Sequence, residues 1–149
     1  MTITEFLLAR LAEDEAAARS CPPWPWRVAT IEDEAAVHDE QTYAGDTVAA
    51  ADGICVAVPY ALSGRQERAV RDHIPRHDPA RVLREVEAKR AIVEAHERNP
   101  LSEDVGPEWG DTCYTCVSDH EPLDWPCATL RHLASIYSDH PEFDAGWAP

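Results

Sequence analysis

Asp46-Thr47-Val48-Ala49-Ala50-Ala51-Asp52-Gly53-Ile54-Cys55-Val56-Ala57-Val58 is the stretch on which the fold turns. Two apolar runs flank Asp52-Gly53, a pair that closes a tight hairpin because glycine adopts positive φ without steric cost. The second run, residues 54–58, is rich in β-branched side chains, which suit a pleated surface. Toward the N-terminus, residues 26–31 and 35–39 read as two more short strands. An antiparallel sheet of three or four strands is expected, with Cys55 inside its last strand as a buried apolar residue.

Helical patterns lie on both sides of this run. In residues 2–20, Ile3, Phe6, Leu7 and Leu11 form one apolar stripe, while Glu13, Asp14 and Glu15 face water. Thr2 followed by Glu5 matches a capping box. The prolines of Cys21-Pro22-Pro23-Trp24-Pro25-Trp26 stop that helix, and both tryptophans are expected to anchor the turn to the core. A second helix spans residues 63–76, from the spacing of Ala69, Val70, His73 and Ile74. Asp78-Pro79 opens a third, with Asp78 as N-cap and Pro79 where a missing N–H costs nothing. Its apolar face carries Val82, Leu83, Val86, Val93 and His96, and it ends near Asn99-Pro100. A last helix starts at Pro126, with Leu130, Leu133, Ala134 and Tyr137 on its apolar side. Phe143 and Trp147 are expected to anchor the tail.

Because helices flank a contiguous block of strands instead of alternating with them, the fold class is α+β. Residues 1–100 form the α+β core. Residues 101–149 form a zinc-knuckle-like C-terminal unit packed on it.

The 149-residue chain carries 28 acidic and 13 basic residues, a net charge of -15. Nucleic-acid binding draws its affinity from Lys and Arg displacing counterions, so direct binding of nucleic acid is not expected. A protein partner with a basic surface fits the charge. Hydrophobic residues make up 44% of the chain, enough for a packed core. The apolar run at the N-terminus is broken by Glu5 and lacks a basic lead, so no export signal is expected. No stretch approaches the roughly 20 apolar residues of a membrane span. Five cysteines, an odd number, suit free thiols or metal ligands in a reducing cytoplasm better than a disulfide framework.

Three of those cysteines are grouped. Cys113-Tyr114-Thr115-Cys116 is a C-x2-C knuckle, which offers two thiolates from one tight turn, and Cys127 opens the last helix. Zinc takes four such donors in a tetrahedron. A thiolate at the first turn of a helix also gains from the partial positive charge there. The cysteines of this group leave the fourth ligand open, and the candidates are imidazoles. His96, on the core-facing stripe of the third helix, is the first choice, His120 the second and His132 the third. His132 lies about 140° around the last helix from Cys127. A structural zinc ion held by Cys113, Cys116, Cys127 and His96 follows. The competing readings are unpaired buried thiols or a redox pair.

His73, His77, Asp78 and Arg81 form a second group. On one continuous helix the two imidazoles would share a face, but Pro75 and Pro79 break it. A polar helix junction capped by Asp78 is the favoured reading. The alternative is a pocket for ligand binding or acid–base chemistry. No phosphate-binding glycine loop, G-x-S-x-G or H-E-x-x-H is present.

Four stretches carry a family likeness. They are Phe6-Leu7-Leu8-Ala9-Arg10-Leu11, then Pro25-Trp26-Arg27, then His73-Ile74-Pro75-Arg76-His77-Asp78-Pro79-Ala80-Arg81-Val82-Leu83, and Trp125-Pro126-Cys127-Ala128-Thr129-Leu130-Arg131. The chain resembles an uncharacterised family of actinobacterial and actinophage proteins, a domain of unknown function. It is more weakly similar to the Ead-type accessory proteins of phages. Family members commonly read Gly-Pro-Trp where this chain has Trp24-Pro25-Trp26. The resemblance implies an accessory gene product of a phage or an actinobacterium, and no reaction. A non-enzymatic binding or regulatory protein is therefore the leading expectation. The alternatives are a small metal-dependent hydrolase or nuclease using His73, His77 and Asp78, and a protein that sequesters a small nucleotide ligand.

Overall fold

The computed structural model describes residues 1–29, 37–38, 41–42, 47–53, 55–57, 63–99, 112–116 and 125–149. The architecture is α+β, with helices and antiparallel strands in separate blocks along the chain. Two compact units divide it. One comprises Met1–Glu13 with Val86–Pro149, the other Asp14–Glu85. No helix among the described residues is long and apolar enough to cross a membrane.

The unit of Asp14–Glu85 holds the sheet. Strands β1 (Arg27–Ala29), β4 (Thr47–Ala49) and β5 (Cys55–Ala57) form an antiparallel sheet in the order β1-β4-β5. Arg27 pairs with Ala49 and Ala29 with Thr47 across the first ladder. A bulge between Val48 and Ala49 shifts the second ladder, where Val48 faces Ala57 and Ala49 faces Cys55. Every residue of β4 is buried, as expected of a central strand. The turn into β5 closes through the Gly53 N–H donating to the Ala50 carbonyl at 3.0 Å, with Gly53 at φ 86°.

Between β1 and β4 lies a separate two-stranded pair, β2 (Val37–His38) and β3 (Gln41–Thr42). Gln41-Thr42 pairs as a strand although two polar residues carry no apolar alternation. Two expectations are corrected here. Cys55 is only half-buried, because β5 is an edge strand. Trp24 is 40% exposed and lies outside the buried core, whereas Trp26 is half-buried and donates its indole N–H to the Pro22 carbonyl at 3.2 Å.

Helix α2 (Gly64–His73) is capped by Ser63, whose hydroxyl accepts from the Gln66 N–H. Pro75 tightens the chain into a 3-10 turn over Ile74–His77, and α3 (Pro79–Ala95) follows. The side-chain oxygen of Asp78 accepts from the Arg81 N–H at 2.9 Å, as its N-cap role requires.

The other unit is built around Phe6. Helix α1 (Ile3–Ser20) buries Ile3, Phe6, Leu7 and Leu11, the predicted stripe. Its capping box is formed: the Thr2 N–H donates to Glu5 Oε2 at 2.7 Å and the Glu5 N–H to Thr2 Oγ1 at 3.2 Å. Val93 of α3 and Leu130 and Ala134 of α4 (Ala128–Ser135) join this core. Phe143 and Trp147 close it, with ring centroids 6.1 and 5.1 Å from that of Phe6, so the tail is anchored as predicted. Cys113 and Cys127 lie in the same cluster, with Cys116 and Trp125 packed against it.

Candidate metal centre

The site begins where α3 ends. After Ala95 the chain leaves the helix, with the His96 N–H shared between the Ile92 and Val93 carbonyls. It then runs extended, and Arg98 pairs with Cys113 in an antiparallel bridge. The Asn99 N–H donates to the Thr112 carbonyl at 2.8 Å, and the Tyr114 N–H to the Glu97 carbonyl at 2.9 Å. These bonds set the C-x2-C knuckle against the helix end. The Thr115 hydroxyl donates to the Ala95 carbonyl, and the Trp125 indole N–H donates to the His96 carbonyl at 3.3 Å. Such supporting bonds hold a ligand's backbone in place, as outer-shell partners do around metal ions. Cys127 occupies the cap position of α4, with extended backbone, so its side chain leaves the helix axis toward the knuckle.

The four side chains converge. One ligand atom from each of His96, Cys113, Cys116 and Cys127 lies within 4.8 Å of every other, close enough to bind a metal ion. Nδ1 of His96 stands 3.5, 3.4 and 3.5 Å from the sulfurs of Cys113, Cys116 and Cys127. Hydrogen bonding cannot account for this. A neutral imidazole nitrogen has one proton or one lone pair, so it serves one sulfur well and not three at equal range. Coordination does account for it. Zinc–sulfur bonds of about 2.3 Å and a zinc–nitrogen bond of about 2.0 Å at tetrahedral angles put nitrogen and sulfur about 3.5 Å apart. The residues present therefore fit a tetrahedral, thiolate-rich ion. Among the described residues this is the single cluster of three or more such donors.

Electrostatics point the same way. Burial, then the thiols of Cys113 and Cys127, push the Cys116 thiol up to about 12. Burial also opposes ionisation of Cys127. The N–H of Leu130, the two neighbouring thiols and the N–H of Thr129 outweigh it, and the net direction is downward. Those N–H groups face the sulfur without completing a cap hydrogen bond. Three thiolates packed this closely repel one another, and a divalent cation relieves that repulsion.

Of the other predicted ligands, His132 is exposed on α4 and outside the cluster, and His120 lies outside the described residues. The second predicted group is brought together differently. The His73 and His77 rings are exposed, with centroids 4.3 Å apart. Asp78 is buried and holds the first turn of α3. Arg81 pairs with Glu85 at 2.6 Å and donates to the Arg76 carbonyl at 3.1 Å. Asp78 and Arg81 thus serve the helix junction.

One buried polar residue had no signal in the sequence beyond its place on a helix. Arg10 is 6% exposed. Its guanidinium lies over the Phe6 ring, 5.4 Å from the centroid, and pairs with Glu13 at 2.9 Å and Glu142 at 3.1 Å. It also meets the ring nitrogens of His140. A cation between two carboxylates and an aromatic face ties α1 to the tail.

The model of a family of unknown function (DUF6221) covers residues 1–149. No curated protein and no solved structure matches the chain.

Proposed function

The chain belongs to DUF6221, a family of unknown function, and from that premise we propose that it is a non-enzymatic binding or regulatory protein stapled by one structural zinc ion. The observation that carries this is the near-equal spacing of His96 Nδ1 from three sulfurs, 3.4 to 3.5 Å. Four protein donors fill a tetrahedral shell and leave no position for water or substrate, which separates structural sites from catalytic ones. The ion would supply a cross-link between the end of α3, the knuckle and the first turn of α4. His96, Cys113, Cys116 and Cys127 would hold it.

The partner class follows from charge. With a net charge of -15 the chain favours a basic protein surface over nucleic acid. The sequence likeness supports an accessory gene product of a phage or an actinobacterium, acting in the cytoplasm. The deciding experiment is elemental analysis of protein purified without chelator. One zinc per chain is expected. A metal-free, fully folded protein would overturn the proposal.

A further inference from the structure

The three cysteines of the cluster differ in how they meet solvent. Cys113 is fully enclosed and Cys127 is 5% exposed, whereas Cys116 is half-buried. Cys116 also lines an open cavity of about 470 Å³, walled by Pro126, Thr129, Arg131 and His132 as well as Cys127. The cavity is ample for a molecule the size of hydrogen peroxide. Arg131 and His132 bring donors to its wall. The other two cysteines are not part of the cluster, and Cys21 donates its S–H to the Ala17 carbonyl at 3.4 Å.

We propose that Cys116 is a peroxide-reactive thiolate whose oxidation expels the zinc ion, making the staple a reversible redox switch. This rests on the zinc reading above. The Cys116 thiolate attacks one oxygen of a hydroperoxide. The S–O bond forms, the O–O bond breaks, and the leaving oxygen departs as hydroxide, a charge that the Arg131 guanidinium on the cavity wall stabilises. Cys116 is then a sulfenic acid. One of the two enclosed thiolates, each with its sulfur within 4.8 Å, attacks the Cys116 sulfur. The S–S bond forms, the S–O bond breaks, and a second hydroxide leaves. Two protons from solvent balance the sum: two thiolates and one peroxide give one disulfide and two waters. Sulfur is oxidised and peroxide reduced, by two electrons in all. One thiolate and one imidazole remain, too few to retain zinc.

Zinc-loaded full-length protein, its metal content first measured, is treated with hydrogen peroxide in the presence of a chromogenic zinc chelator and dimedone. Zinc release is expected, with the first dimedone adduct on Cys116. Thiol reductant plus zinc should restore the original metal content. The Cys21→Ser/Cys55→Ser double variant should release zinc at the wild-type rate. Zinc that stays bound through a tenfold excess of peroxide overturns the inference. So does release that follows adducts on Cys113 or Cys127 with none on Cys116. Purified protein with no zinc would instead sink the underlying metal reading, so the two failures are separable.

Discussion

His96 does two jobs at one position: its backbone ends α3, and its ring nitrogen sits equidistant from three sulfurs. Replacing the ring removes a ligand while leaving the three cysteines. His96→Ala is expected to lose zinc on dialysis into metal-free buffer, as metal analysis would show. A ligand present at about 1,000 times its Kd stabilises by about 4 kcal/mol. At roughly 2–4 °C per kcal/mol for a chain of this size, the melting temperature should fall by about 10 °C. Arg10 makes a different kind of prediction. Its guanidinium is buried, but Glu13 and Glu142 are more than half exposed, so solvent screens much of the pairing. Arg10→Met should cost about 2 kcal/mol in urea unfolding, less than the 3–5 typical of a fully buried broken pair. Zinc content should be unchanged.

At the scale of elements, the helix starts carry the testable chemistry. Asp78 accepts the Arg81 N–H, which an asparagine oxygen can do as well. Asp78→Ala should therefore destabilise by about 1–2 kcal/mol while Asp78→Asn stays near wild type, both read from denaturant midpoints. An acid–base role would make both variants equally damaging to an activity. In the capping box of α1, the Thr2 N–H and hydroxyl lower the Glu5 carboxyl pKa below its usual value. The sign follows from linkage. The folded state favours the charged form, so this contribution is present above the ordinary carboxylate range and fades as pH falls through the lowered value. Glu5→Gln should flatten the acid limb of a stability–pH curve, lying slightly below wild type near neutrality and converging with it at acid pH.

For the molecule as a whole, the proposed zinc site predicts an affinity that depends on pH. In the metal-free form Cys116 is held protonated, near 12, by burial and its neighbours. A zinc ion bound there would displace that proton, so its affinity should rise with pH, by roughly tenfold per unit for each proton displaced. Competition with a chelator of known affinity at pH 6, 7 and 8 would measure the slope, and a flat profile would contradict thiolate ligation. Charge makes the other global prediction. A partner recognised through the acidic surface should be lost as salt rises toward 0.5 M, where the Debye length shrinks to about half its physiological value.

Local pattern was enough for much of this. The Thr2–Glu5 cap, the stripe of Ile3, Phe6, Leu7 and Leu11, the Asp52-Gly53 turn and the Asp78 cap are short-range chemistry, legible because the groups involved lie within a few residues of one another. The C-x2-C knuckle announced two thiolates for the same reason. What the sequence alone left open needed long-range geometry. Three imidazoles competed for the fourth place, and among the described residues the antiparallel bridge between Arg98 and Cys113, with the bonds beside it, sets His96 against the sulfurs. Whether Cys55 and Trp24 were buried depended on sheet order and turn packing, which no local spacing encodes. Arg10 read as an ordinary helical residue until Phe6, Glu142 and His140 closed around it. Contacts between residues far apart in the chain are decided when the core forms, and there the tertiary structure, not the pattern, brought His96 and the three cysteines together.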